Sequence, residues 1–99
     1  MRLTDDHQQT IRQLTAETFG SHARVRLFGS RVDDTARGGD VDLLVELDDP
    51  VAQPAVQASL LEVRLSRVFD GRKVDVVVLA PNLKRQPIHE VAQRQGVLL

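Results

Sequence analysis

Apolar positions along the chain recur with two periods, and each period predicts a different element. Helical spacing runs from the N-terminus to Gly20, with Thr4 placed to cap this first helix, and again over residues 54–70. A last, shorter helix is predicted with Pro87 in its first turn and Gly96 at its end. The apolar stripe of the second helix is most simply interpreted as a face that packs into the core.

Three shorter apolar runs predict β-strands at residues 23–28, 40–47 and 73–79. The second and third strands are linked through a helix and can lie parallel, whereas the first two are linked by a loop and are expected to be antiparallel. This order predicts an α+β fold, with a small mixed β-sheet and helices packed on one face. Ninety-nine residues leave room for one core, so residues 1–99 are expected to form a single domain.

Composition excludes several classes of protein. The chain has no cysteine, so a disulfide framework and a thiolate metal site are both excluded. It carries 13 basic and 14 acidic residues and no tyrosine or tryptophan, which argues against strong autonomous binding to nucleic acid. Residues 1–10 are polar and acidic, and no run approaches membrane-spanning length. A soluble, cytoplasmic protein without membrane contact is expected.

Two aspartates stand at the start of the second apolar run. Side chains alternate between the faces of a strand, so Asp40 and Asp42 would point to the same side, about 7 Å apart along the chain. Their charges repel each other, and the neighbouring apolar residues do not neutralise them. Magnesium prefers oxygen ligands, uses one or two carboxylates and keeps positions for water and phosphate oxygens. The pair therefore indicates a magnesium site.

Two further features support a site for phosphate and metal. The first strand turns at Gly29, and Ser30 suits the first position of a short helix, whose free N–H groups attract anions. In the third strand, Asp75 interrupts a continuous apolar run, where an unpaired carboxylate would be costly. If the third strand lies beside the second, Asp75 faces the same patch as Asp40 and Asp42.

These residues resemble the signature of a known superfamily. Gly29-Ser30, a nine-residue spacer and Asp40-Val41-Asp42, with a third aspartate in a later strand, resemble the DNA polymerase β-like nucleotidyltransferases. The short length resembles the minimal nucleotidyltransferases, the MntA-type antitoxins that act with HEPN toxins. The resemblance covers nearly the whole chain and implies the polymerase β-like nucleotidyltransferase fold.

The resemblance also implies roles for individual residues. A catalytic, two-metal Mg²⁺ site would be held by Asp40, Asp42 and Asp75, with Asp75 closest to the acceptor hydroxyl. Three further residues would contact the phosphates of the substrate ATP: Gly29, Ser30 and Arg31. The implied activity is transfer of AMP from ATP to a hydroxyl, most simply a tyrosine, of a partner HEPN toxin. Such an antitoxin would form a hetero-oligomer with its toxin.

Two other functions stay open. The chain could be a non-catalytic antitoxin that masks its partner by forming a complex, and the acidic pair Asp33-Asp34 in the expected phosphate loop keeps this alternative open. It could also transfer a nucleotide to a small hydroxylated molecule. The chain departs from many relatives in having Gly39, rather than serine, just before the aspartate pair, and in lacking a tyrosine near its end.

Simple structural roles compete with these interpretations. Paired aspartates at the start of a strand can serve as solvated or capping residues, and Asp75 alone could be an edge-strand acid that blocks aggregation. The three histidines lack metal-ligand spacing and are interpreted as surface or packing residues. Arg24 and Arg26 alternate with apolar residues and are interpreted as lining the solvated face of a strand.

Overall fold

The computed structural model describes residues 3–29 and 41–99. Within these ranges it contains three helices and four strands, and the elements follow one another along the chain as α1 (Asp5–Phe19), β1 (Arg24–Phe28), β2 (Val41–Glu46), α2 (Pro54–Val68), β3 (Val74–Leu79), α3 (Pro87–Gln95) and β4 (Val97–Leu98). The six predicted elements are all present. β4 is additional, because two residues are too few to show a period.

Local sequence signals fix where the helices begin and end. The Thr4 hydroxyl accepts a hydrogen bond of 3.1 Å from the His7 backbone N–H, and so caps α1. Pro54 and Pro87 begin α2 and α3, where the missing N–H of proline removes no helical hydrogen bond. Gly96 ends α3, and its N–H donates to the Ala92 carbonyl at 2.8 Å. The predictions for Thr4, Pro87 and Gly96 are therefore confirmed.

The sheet is mixed and has the strand order β3-β2-β1-β4. β1 pairs with β2 in the antiparallel direction, and β2 pairs with β3 in the parallel direction, as predicted. β4 pairs antiparallel with β1, with Val97 opposite Leu27. Because β2 is parallel to β3 and antiparallel to β1, the end of β1 and the beginnings of β2 and β3 lie at one end of the sheet.

Apolar side chains cover both faces of the sheet. On one face, Leu43 of β2 packs in a core with Ile11 of α1 and Leu61 of α2. On the other face, Leu44 packs with Phe28 and with Ala92 of α3. The prediction of helices on one face holds for α1 and α2, but α3 lies on the opposite face. The reason is that β2 is apolar on both sides, so each face needs a cover.

Side chains from two helices occupy the free edge of β3. The Glu62 carboxylate of α2 accepts a hydrogen bond of 2.8 Å from the Val76 N–H. The buried His89 of α3 accepts from the Gln86 N–H at Nδ1, so the proton lies on Nε2, which donates to the Val78 carbonyl at 2.9 Å. His89 is thus a packing residue, and this edge is protected from pairing with another strand.

A partly buried ion pair joins β1 to β2, and a hydrogen bond from α3 is added to it. Arg26 Nε donates to one carboxylate oxygen of Glu46, and Gln93 of α3 donates to the other at 2.9 Å. Burial alone would raise the pKa of the Glu46 carboxyl, but the hydrogen bonds from Gln93 and Arg26 outweigh it and hold this pKa below its ordinary value of 4.5. Arg26 is therefore directed at Glu46 beneath α3 and does not line a solvated face.

We expect Glu46→Gln to destabilise the fold in a pH-dependent way. At pH 7 the loss of charged hydrogen bonds should lower the free energy of unfolding by roughly 1.5–3 kcal/mol. Because the folded-state pKa of Glu46 is depressed, its contribution is complete above pH 4.5 and is lost as the pH falls through the folded-state value. Urea denaturation of both proteins at pH 7 and pH 3 measures this. If the difference in the free energy of unfolding between wild type and Glu46→Gln were as large at pH 3 as at pH 7, the prediction would be wrong. Asp49→Asn, at an exposed acid, is the control.

Among residues 3–29 and 41–99, no helix is both long enough and apolar enough to cross a bilayer.

Candidate active site

The acidic residues lie where β1 ends and where β2 and β3 begin. In the sheet, Asp42 is paired with Phe28 of β1 on one side and with Asp75 of β3 on the other. Residues in register on neighbouring strands point to the same face, and their backbones are about 4.8 Å apart. The two carboxylates therefore share one patch at this end of the sheet, beyond the part of the face that α3 covers.

Gly29 brings the backbone close to this patch. It follows β1 directly and has a φ of +74°, in the left-handed region that favours glycine. A Cβ atom built on Gly29 would collide with Oδ2 of Asp42 and would lie 3.2 Å from its Cγ. The absence of a side chain at residue 29 is therefore a steric requirement for the observed position of the Asp42 carboxylate.

A lysine that the sequence interpretation missed also lies at the site. Lys73 precedes β3, and its Nζ lies 3.8 Å from Oδ1 of Asp75. The two side chains are 69% and 40% exposed, so solvent screens this ion pair and it adds little to stability. The signal was present in the sequence, because residues two apart in an extended segment point to the same side. Lys73 places one positive charge beside the acidic patch.

The structure brings together Gly29, Asp42 and Asp75, three of the six predicted site residues. Ser30, Arg31 and Asp40 lie outside the described residues, and their positions stay predictions. Arg24 is directed away from the patch, since it donates two hydrogen bonds of 3.1 Å to Asp48 near the other end of the sheet. These hydrogen bonds and the neighbouring charge hold the pKa of the exposed Asp48 below its ordinary value.

The donor atoms of the patch suit a hard divalent cation. Asp42 and Asp75 supply carboxylate oxygens from adjacent strands, and Mg²⁺ is commonly bound in proteins by one or two carboxylates together with water and phosphate oxygens. Within residues 3–29 and 41–99, no cluster of three or more histidine, cysteine, aspartate or glutamate side chains could hold a metal ion. The part of the chain described thus offers two carboxylate ligands, and Asp40 is the predicted third.

Comparison with protein families gives this patch its context. The family model of the nucleotidyltransferase domain matches residues 9–97, which run from within α1 to β4. The chain belongs to the nucleotidyltransferase domain family. The match includes both strands that carry the acids and the turn at Gly29, so the patch lies inside the family's domain. A comparison with curated proteins found no significant match.

Two solved structures share the fold of this nucleotidyltransferase. One is the crystal structure of a mutant toxin–antitoxin MntA–HpeT, with a TM-score of 0.65 and 20% identity over 93% of this chain and 69% of the matched chain. The other is a tri-AMPylated HEPN toxin from Shewanella oneidensis in complex with an MNT antitoxin, with a TM-score of 0.66 and 18% identity over 97% and 71% of the two chains. At these identities the similarity shows the fold.

Proposed function

We propose that this nucleotidyltransferase transfers AMP from ATP to a hydroxyl of a HEPN-domain toxin and thereby acts as its antitoxin. The observation that carries the proposal is the pairing of Asp42 with Asp75 on adjacent strands, against the Gly29 turn, in a chain of this family. The similarity to an MNT antitoxin in complex with an AMPylated toxin supports this choice of acceptor. Residues 1–99 would act as a single domain in the cytoplasm, in a hetero-oligomer with the toxin.

The phosphates of ATP would lie against the turn after β1. The Gly29 backbone and the Ser30 hydroxyl would contact the β- and γ-phosphates, and Arg31 would add a positive charge. Lys73 is a further cation beside the patch, 3.8 Å from Asp75. These contacts would hold the α-phosphate in front of the carboxylates, so that the leaving pyrophosphate points toward the turn.

The carboxylates would hold Mg²⁺ and prepare the acceptor. Asp40 and Asp42 would bind the cation that accompanies ATP, and Asp75 would complete a second position with them. Bound Mg²⁺ would neutralise the negative charge that develops on the phosphoryl oxygens and on the acceptor oxygen. Asp75, at 40% side-chain exposure, is accessible to an incoming hydroxyl.

The transfer is a single displacement at the α-phosphorus. The acceptor oxygen forms a bond to this phosphorus while the bond between the α-phosphorus and the bridging oxygen breaks, and pyrophosphate leaves. The acceptor proton passes to Asp75 and then to water. A tyrosine acceptor fits this arrangement, because its unperturbed pKa is about 10 and a nearby carboxylate helps to remove the proton.

A labelling experiment tests this function. The chain is incubated with Mg²⁺, ATP labelled at the α-phosphate and the protein that the neighbouring gene encodes, which we expect to be a HEPN-domain protein. We expect label on the HEPN protein, no label without Mg²⁺, and loss of its ribonuclease activity in step with labelling. Mass spectrometry then identifies the modified residue.

Two other results would replace the proposal. A stable complex that silences the toxin without label would show a masking antitoxin. Label on small hydroxylated molecules and none on the HEPN protein would show a different acceptor class.

A further inference from the structure

The outer face of α2 carries an apolar stripe that the described residues leave exposed. Val56, Leu60 and Val63 are 62%, 51% and 53% exposed, whereas Leu61 and Leu65 on the inner face are fully buried. The sequence interpretation placed the whole stripe of this helix in the core, and for these three residues it was wrong. Periodicity alone does not distinguish the two faces, because both carry apolar residues.

The spacing of the exposed stripe is that of a helix-packing seam. Residues 56, 60, 63 and 67 are separated by four, three and four positions, the repeat of apolar positions in coiled coils. Residues 50–61 contain no charged side chain, in a chain in which 27% of residues are charged. Arg67 ends the seam and is exposed. Unlike Arg64, which pairs with Glu17 at 3.1 Å, it has no ion-pair partner among residues 3–29 and 41–99.

We propose that this seam, formed by Val56, Leu60, Val63 and Arg67, is the docking surface for the protein substrate. Its occupant is an amphipathic helix of that protein, which places an apolar stripe against the three apolar seam residues and a carboxylate opposite Arg67. The inference rests on the proposed function, since it identifies how a protein acceptor is held. Exposed apolar residues in a contiguous stripe mark interaction sites.

Charge disfavours a second copy of this chain as the occupant. A parallel pair of α2 helices would place Arg67 against the same residue of the other copy. An antiparallel pair centred on Leu60 would place Arg67 at the N-terminus of the other helix, where the positive end of the helix dipole disfavours a positive charge. A stable interface also buries about 800 Å² on each partner from some 20–30 residues. Four seam residues supply a fraction of that, so the occupant must also contact surface beyond the seam.

The seam and the acidic patch lie in different layers of the fold, because α2 packs on one face of the sheet and the patch lies on the face that α3 partly covers, but both can be reached at one end of the sheet. α2 connects the parallel strands β2 and β3 and therefore runs antiparallel to them, so its Arg67 end lies at the end of the sheet where β3 begins. The hydrogen bond of 2.8 Å from the Val76 N–H to Glu62 ties the middle of α2 to the residue after Asp75. A protein bound along the seam would reach the carboxylates around this end of the sheet, and tethering it there would raise the effective concentration of its acceptor.

The test compares seam variants with a matched control. The variants are Leu60→Asp, Val63→Asp and Arg67→Glu, and the control is Val91→Asp, at an apolar position of α3 that is 39% exposed. Isothermal titration calorimetry measures affinity for the HEPN-domain protein that the labelling experiment uses, and a fluorescent ATP analogue measures nucleotide binding in its absence. Circular dichroism and thermal melting confirm folding. Labelled AMP transfer is measured at low and at saturating HEPN protein.

We expect Leu60→Asp and Val63→Asp to weaken binding of the HEPN protein at least 100-fold and Arg67→Glu to weaken it about tenfold, with nucleotide binding unchanged. Transfer should fall at low HEPN protein and recover at saturation, and Val91→Asp should behave as wild type. Wild-type affinity in the folded Leu60→Asp variant would overturn the docking proposal even if AMP transfer is observed. The docking proposal would also be overturned if the wild type formed dimers that the seam variants did not form. The same conclusion would follow if the wild type did not bind the HEPN protein.

The same experiment separates the two proposals. A complex that forms, is weakened by the seam variants and carries no label would overturn the AMP-transfer function and support the docking surface. Labelling that is equal in wild type and seam variants at all concentrations of the HEPN protein would support the AMP-transfer function and overturn the docking surface.

Discussion

Asp42→Asn should reduce AMP transfer about 10²- to 10³-fold or more, because it would remove a charge from the proposed Mg²⁺ site and with it several kcal/mol of transition-state stabilisation. The substitution keeps the size of the side chain, so the fold should be preserved. Initial rates with labelled ATP and the HEPN protein measure the effect, and Asp49→Asn, at an exposed acid outside the patch, is the matched control. A variant with wild-type rates would remove Asp42 from the catalytic role given to it.

Asp75→Asn extends this prediction to the second strand. Asp75 is paired with Asp42 in the sheet, and we expect its loss to slow transfer while the toxin complex still forms. The substitution should lower the rate constant of transfer to the acceptor more than it lowers the affinity for ATP, because the proposed mechanism assigns Asp75 to the acceptor hydroxyl. Full AMP transfer by Asp75→Asn would show that this assignment is wrong.

Gly29→Ala should impair both stability and activity. At a φ of +74° any other residue adds backbone strain of about 1 kcal/mol or more, and the new Cβ would displace the Asp42 carboxylate. We expect activity to fall toward that of Asp42→Asn, together with a loss of about 1–3 kcal/mol in the free energy of unfolding. Kinetic assays and urea denaturation measure the two effects.

Gly71→Ala is a control that distinguishes the effect of backbone strain from the effect of a steric collision with Asp42. Gly71 has a φ of +86°, but a Cβ there would meet nothing within 4 Å. This variant should lose a similar amount of stability and keep its activity. If both variants transferred AMP at the wild-type rate, contact between Gly29 and Asp42 would have no catalytic importance.

Local sequence signals determined most of the elements of this fold. Thr4, Pro54 and Pro87 mark the beginnings of the three helices, because capping and the missing N–H of proline act within one helical turn. The link between two strands through a helix also predicted their parallel pairing. An aspartate within an apolar run is conspicuous in the sequence alone, which is how Asp42 and Asp75 were selected.

Tertiary structure decided what depends on residues distant in the chain. Pairing of Asp42 with Asp75 joins positions 33 residues apart, and only the sheet register specifies it. The placement of α3 on the second face, the strand β4 and the hydrogen bond from Gln93 to Glu46 also need the folded chain, since no local period encodes them. For α2, the sequence determined that two faces are apolar. Packing against β3 and α1 decided which face is buried and left the seam that ends at Arg67 exposed.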